Sequence, residues 1–301
     1  MPHIPVMVSE VISYLIWDYS GKYLDCTVGD GMHSHAIMKL ISSKCGSVLA
    51  LDRDKRALKT AEMNLKEFGD NVVLKQSRFS EIETRISKNN NELYSGFLFD
   101  LGLNNSRLEE SDAGFSYLKN GSLDMRMSQE DMITAGEIIN NWPEKKLADL
   151  IYFNSDERLS RRIAKAIVIE RSKSRIETTT QLKDIIFNVV KGPYRLKSVA
   201  RCFQALRMTV NDEIEEIKKG LTTAFDYLLP GGRIVVLSYH SIEDRIVKNF
   251  FRDHRLTRKS GPGRFLQILT AKPVGPSREE TKTNPAARSA KLRAAELAVV
   301  D

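Results

Sequence analysis

The 301-residue chain has little cysteine: only Cys26, Cys45 and Cys202, odd in number and far apart. Neither a disulfide framework nor a cysteine metal knuckle can be built from them, and a reducing compartment is expected. No apolar run approaches the ~18 residues that a membrane span needs. The opening residues, Met1-Pro-His-Ile-Pro-Val6, lack the basic stretch and the apolar core of a signal peptide. A cytoplasmic protein with no membrane partner is therefore expected. Repeats at solenoid periods are also missing. His33 and His35 have no supporting ligands, so no metal is expected.

What is present is ordinary globular material, 42% hydrophobic and 28% charged, enough for a large core. The net charge of +7 becomes informative once it is located. Residues 252–293 hold eleven Lys or Arg against Asp253, Glu279 and Glu280, a local balance of +8 that leaves −1 for everything else. A cationic C-terminal segment of this kind is expected to meet a polyanion. A solvated tail that only aids solubility is the alternative.

Residues 22–101 alternate between strand and helix patterns. Strands are expected at 22–28, 47–51, 71–75 and 96–101, with helices at 33–43 and 54–68, the second carrying Leu58, Ala61 and Leu65 on one face. Such alternation implies a parallel sheet with helices on both faces. Residues 108–206 break the rhythm: they hold helix signals and no convincing strand. Leu159, Ile163, Ala166 and Ile167 mark an amphipathic helix whose other positions carry Arg158, Arg161, Arg162 and Lys165. The α/β pattern then resumes. Thr209 and Asp212 fit the ends of a capping box, and Ile214, Ile217, Leu221, Ala224 and Leu228 form a helical stripe. Pro230-Gly-Gly232 is expected to end that helix and launch a strand at 233–238, and 265–270 to be the last strand.

The chemistry concentrates at the first strand end, Asp25-Cys-Thr-Val-Gly29-Asp-Gly31-Met-His33-Ser34. Gly29 and Gly31 let the backbone approach a ligand, and Asp52, 21 residues past Gly31, stands where an acid accepts from ribose hydroxyls. A dinucleotide site has a third Gly where this chain has Ser34, and Asp25 and Asp30 suit a positively charged group better than a pyrophosphate. The pattern favours a nucleoside bearing a sulfonium.

Further blocks follow in order: Leu51-Asp-Arg-Asp54, Asp100-Leu-Gly102, Gly114-Phe-Ser116, Leu123-Asp-Met-Arg-Met127, Phe203-Gln-Ala-Leu-Arg207, Val210-Asn-Asp-Glu213, Ser238-Tyr-His-Ser-Ile-Glu-Asp-Arg245 and Arg288-Ser-Ala-Lys-Leu-Arg293. With His3-Ile-Pro-Val6 and the glycine turn, they run over nearly the whole length. In them the chain resembles the bacterial small-subunit ribosomal RNA cytosine-4-amino methyltransferases.

The resemblance implies an α/β fold, with a Rossmann-like class I methyltransferase sheet (1–107 and 207–301) and a helical insertion domain for substrate recognition (108–206). It implies S-adenosylmethionine as cofactor, 16S ribosomal RNA of the small subunit as partner, and leaves a homodimer open. By similarity, Gly31, Met32 and His33 contact the cofactor, Asp52 its ribose and Phe79 its adenine, while Asp100 and Arg107 close the far side. The chain departs from the family pattern in three places. Met32 stands for the last Gly of the turn, Asn104-Asn105 for the usual serines and Arg107 for the usual Gln.

A cytosine amine is a weak nucleophile, and aligning it with an activated methyl needs hydrogen-bond acceptors. Asp100 and Asn104 stand in the expected place. His240, just past a strand end, either orients the base or is a satisfied loop histidine. The base must leave its stack, with the Arg-rich helix and the basic segment on the surrounding phosphates. A protein or small-molecule methyltransferase and a non-catalytic RNA-binding assembly factor are the competing classes. A labelled-methyl assay and a cofactor titration separate them.

Overall fold

The computed structural model describes residues 4–86, 92–102, 113–128, 131–257 and 260–300. Two compact units emerge, one from 1–102 with 214–301 and one from 103–213. The seams fall at Gly102 and Glu213, a few residues from those drawn on the sequence.

The first unit is built on a seven-stranded sheet: β1 (Lys22–Asp25), β2 (Ser47–Asp52), β3 (Val72–Gln76), β4 (Tyr94–Asp100), β5 (Leu228–Ser238), β6 (Gly263–Ile268) and β7 (Lys291–Val300). Its order is β3-β2-β1-β4-β5-β7-β6. The first five strands run parallel, and β7 is antiparallel to both β5 and β6. The sheet is Rossmann-like, but the all-parallel reading needs correcting at this edge. The last strand is Lys291–Val300, not the segment at 265–270, and it wedges between β5 and β6.

Both faces are covered, which explains the unbroken apolar runs of the central strands. On one face Tyr23, Leu98, Val235 and Leu237 meet α1 (Val8–Leu15), α2 (Met32–Ile41) and α3 (Lys55–Leu65) through Leu15, Ile37, Met38 and Ala61. On the other, Leu24, Phe97, Phe99, Ile234 and Val236 meet α4 (Ile82–Ile86) through Ile82 and Ile86. The alternation along β4 and β5 is the two-residue period of a strand, read on both sides.

The second unit has its own core, drawn entirely from residues 115–210. Five helices supply most of it: α5 (Ala135–Asn141), α6 (Glu144–Ser155), α7 (Ser160–Arg171), α8 (Thr179–Val189) and α9 (Arg195–Val210). Thr134 with Glu137 and Thr178 with Gln181 form capping boxes at the starts of α5 and α8. In α7, Ile163, Ala164 and Ile167 are buried while Arg161, Arg162 and Lys165 face water.

Two boundaries differ from the sequence reading. Thr209 is no helix cap: it lies in the last turn of α9, its hydroxyl donating to the Ala205 carbonyl (2.9 Å), and α10 (Glu213–Asp226) follows. Pro230-Gly-Gly232 lies inside β5, where pairing jumps from Tyr94↔Leu228 to Gly96↔Arg233. The proline, which cannot donate to a ladder, is thus accommodated in an irregularity. On the second face of the sheet, α10 and α11 (Ser241–Asp253) add Ile217, Leu221, Val247 and Phe251. The cationic C-terminal segment is not a tail. Arg264 donates to the carbonyls of Phe225 and Leu228 (2.8 Å each), and Arg293 to Asp244 (2.7 Å). α12 (Arg278–Thr283) precedes β7. None of the described helices is long and apolar enough to cross a membrane.

Candidate active site

The functional side chains gather at the carboxyl ends of β1, β2 and β4, the end of such a sheet where crevices form. Asp25 ends β1 and is 1% exposed. Its carboxylate accepts from the Thr27 amide (3.0 Å) and the Ser34 hydroxyl (2.7 Å), tying the glycine turn to the first turn of α2. Burial pushes its pKa up, opposed chiefly by the Ser34 hydrogen bond. Asp25 therefore braces the loop from within, a duty different from facing a positively charged ligand.

Gly31 caps α2 with φ +87°, and a Cβ there would sit 3.2 Å from the Ala61 Cα and the Leu65 Cδ1. Only glycine meets both demands. Met32 is the first residue of α2, where φ is negative, so the turn does not need the family's last glycine there. Asp52, at the tip of β2, accepts from the Gly29 amide through Oδ2 and from the Asp54 amide through Oδ1, both at 2.9 Å. Burial pushes it up to about 6, although those two N–H groups pull the other way.

His33 is 7% exposed, and its Nε2 lies 2.9 Å from the Val6 carbonyl. A carbonyl can only accept, so that nitrogen carries a proton. Its Nδ1 lies 3.6 Å from Asp100 Oδ2. Asp100 closes β4: its amide donates to Thr27 Oγ1 and its Oδ1 accepts from the Tyr239 hydroxyl, both at 2.7 Å. Burial, with the Asp100 charge beside it, drives the Tyr239 phenol far above its ordinary pKa, so it stays a donor. A Cβ on Gly102, which has φ +136°, would approach the Tyr239 ring to 3.1 Å.

Phe79 opens a 3-10 turn after β3 and meets Phe99 edge-on, ring centroids 5.4 Å apart. Next to it, the Ser80 amide and hydroxyl donate to Glu216 on α10 (2.9 and 2.7 Å). Gly220, one turn further along α10, leaves room for the Phe79 Cβ, which a methyl there would approach to 2.9 Å.

His240 caps α11 with Nδ1, 3.4 Å from the Glu243 amide, and its Nε2 is 3.0 Å from Glu243 Oε1. Both ring nitrogens thus face the helix's own first turn. Glu243, 1% exposed, also accepts from the Tyr239 amide (2.8 Å). Gly31, Met32, His33, Asp52 and Asp100 come together at the ends of β1, β2 and β4, Phe79 follows β3, and His240 follows β5. Asn104, Asn105 and Arg107 lie outside the described residues. Sequence reasoning gave no role to Tyr239, Thr27, Glu216 or Glu243. Tyr239 and Glu243 were within a quoted motif, whereas Glu216, an acid beside an apolar stripe, carried no signal of its partner.

A model of the MraW methylase family matches residues 1–298. The chain belongs to that family. Curated relatives named ribosomal RNA small subunit methyltransferase H agree with it over almost their full length. The one from Caldicellulosiruptor bescii is 41% identical, covering 98% of each chain. That from Kosmotoga olearia is 42% identical over 98% of this chain and 97% of its own.

The MraW methylase fold here is the class I methyltransferase sheet, and the cofactor is S-adenosylmethionine. The residues present fit it. Gly29 and Gly31, both at positive φ, leave the turn's backbone without side chains at two positions beside the strand tip. Asp52 presents a half-buried carboxylate whose oxygens each retain a lone pair for a hydroxyl. Phe79 offers an aromatic edge held in place from below.

Proposed function

We propose that this chain transfers a methyl group from S-adenosylmethionine to the exocyclic amine of a cytidine in 16S ribosomal RNA of the small subunit, in the cytoplasm. The observation that carries this reading is Asp100, an acceptor pinned by Tyr239 and Thr27 at the end of β4, beside the glycine turn. Bound there, S-adenosylmethionine supplies an activated methyl whose leaving group departs neutral. The protein's share is alignment. Asp100 accepts a hydrogen bond from the amine N–H as that nitrogen gains a bond, and takes up the proton it sheds. Tyr239 fixes the rotamer of Asp100 by donating to Oδ1, so no reorientation is needed at the moment of transfer. Asp52 holds the ribose, Phe79 lies against the adenine, and Met32 and His33 line the turn. Asn104 adds an acceptor for the amine beside Asp100, and Arg107 closes the far side of the cofactor as the resemblance implies. His240 shares the Glu243 anchor with Tyr239, so it positions this strand end.

Carbon methylation needs a thiolate to attack the ring. Cys26, at the end of β1, is 2% exposed, and burial pushes its thiol well above the ordinary range. It is a poor nucleophile. The relatives' name, a methyltransferase of small-subunit ribosomal RNA, supports the substrate class. The helical unit supplies exposed cations for phosphates, giving affinity with little base information.

The test is labelled-methyl transfer to small ribosomal subunits, then nucleoside digestion and mass spectrometry. N4-methylcytidine is expected. 5-Methylcytidine or a ribose-methylated nucleoside as the sole product would overturn the assignment.

A further inference from the structure

The turn between α8 and α9 reads Lys191-Gly-Pro-Tyr194-Arg-Leu-Lys197, three cations with no acid. At its centre Tyr194 is 68% exposed and Leu196 53% exposed, although an aromatic ring at a helix start can usually find cover. The turn is held firmly. The Ser198 amide donates to the Tyr194 carbonyl (3.0 Å), and the Arg195 guanidinium lies 5.9 Å from the Phe187 ring centroid.

One buried acid joins this turn to another. Glu157, 2% exposed, lies between α6 and α7 and accepts from the Leu159 amide (3.0 Å). It also accepts from the Ser198 hydroxyl (2.9 Å) and Arg201 (3.3 Å) in the first turns of α9. Arg158, Arg161 and Arg162 follow Glu157 within five residues, and Tyr194 and Lys197 precede Ser198 within four, so the bond between Glu157 and Ser198 draws the two basic segments together. Arg158, Arg161, Arg162, Lys191 and Lys197 make no ion pair among the described residues. The acid that unites them is buried, and the cations face outward.

We propose that this end of the helical unit is a cradle for an unpaired stretch of RNA, with Tyr194 stacking on a base and the five flanking cations holding phosphates. The proposal rests on the reading of the chain as an RNA methyltransferase and gives that RNA a second point of attachment. Charge selects the partner: uncompensated cations around a lone exposed ring suit a polyanion that carries aromatic faces, and poorly suit an apolar protein surface. A duplex hides its base faces in its own stack, so the ring selects for unpaired RNA.

The test is fluorescence anisotropy of the full chain with a labelled 12-nucleotide single-stranded RNA of mixed sequence, with an RNA duplex as competitor. Tyr194→Ala should weaken binding about tenfold, with the salt dependence unchanged and Tyr194→Phe restoring affinity. Lys191→Gln with Lys197→Gln should flatten the salt dependence. Circular dichroism and S-adenosylmethionine affinity should match the wild type in every variant. Unchanged RNA affinity in Tyr194→Ala overturns the proposal, as does a duplex competing as well as the single strand. Lost self-association in that variant with RNA affinity intact would assign the face to a second copy and equally overturn it. Methyl transfer to small subunits by the wild type, measured alongside, reports separately on the function itself.

Discussion

The two units handle charge in opposite ways. In the sheet unit the decisive charges are acids, turned inward and tied down: Asp25, Asp52 and Asp100 each accept at least two hydrogen bonds or sit against a fixed donor. In the helical unit they are cations, turned outward, with a buried acid such as Glu157 kept for structure. The difference fits the proposed division of labour, a small cofactor in the sheet unit and RNA on the helical unit. A small nucleoside must be placed to within a fraction of an ångström, so its partners are immobilised beforehand. A polyanion offers many equivalent phosphates, so exposed side chains can adapt to it.

Breaking the inward set at its centre should produce the largest effect. Asp100→Ala removes the acceptor and should lower kcat for methyl transfer a hundredfold or more, about 3 kcal/mol, as loss of a preorganised polar group does. S-adenosylmethionine affinity by calorimetry should change far less. An unchanged kcat would move the chemistry elsewhere.

Asp52→Ala should weaken S-adenosylmethionine binding about tenfold to a hundredfold, roughly 1.5–3 kcal/mol, with the fold intact. The elevated pKa adds a pH signature. Between the ordinary 3.8 and about 6 the folded protein keeps a proton that the unfolded chain has lost, so this group's contribution to stability fades as pH rises through that window. Cofactor binding runs the other way, because the hydroxyls prefer the ionised acceptor. Affinity should fall as pH drops below about 6, and Asp52→Asn should remove that fall. Calorimetry from pH 5 to 8 gives both curves.

Tyr239→Phe keeps the ring against Gly102 and deletes one donor to Asp100. A fall in kcat of about tenfold is expected, near 1.5 kcal/mol for a hydrogen bond to a charged group. The acidic limb of the pH–rate profile should shift upward, because Asp100 loses a bond that favours its ionised form. A purely structural tyrosine would lower the melting temperature and leave that limb alone. Smallest of all, Arg161→Gln or Arg162→Gln should each weaken RNA binding a few-fold and reduce the slope against log salt by about one, with cofactor affinity unmoved.

Much of the inward set was legible because strand ends announce themselves. Asp52 and Asp100 each terminate an apolar run, and Gly31 closes the turn after one, and the structure places all three at neighbouring strand tips. Their supports were not legible. Tyr239 and Glu216 act through partners more than a hundred residues away, and no local pattern encodes such a pairing. Strand β7 escaped for a different reason. Lys291-Leu-Arg-Ala-Ala-Glu-Leu297 is made of good helix formers, and it becomes a strand only because β5 and β6 each offer it an open edge. The cationic segment also hid its packing: Arg264 and Arg293 are bonded into the sheet unit, which no local charge pattern could show.

The position of β7 imposes an order on birth as well as on architecture. It is the last strand in the chain, yet it lies between two earlier ones. During synthesis β6 has no neighbouring strand to pair with until Lys291–Val300 has left the ribosome, and the edge of β5 stays open meanwhile. The helical unit, whose core spans only residues 115–210, faces no such delay. Nascent chains arrested before Lys291 should therefore show a protease-resistant fragment from the helical unit while the sheet unit is still cleaved. Equal protection of both would show that the sheet holds together without its final strand.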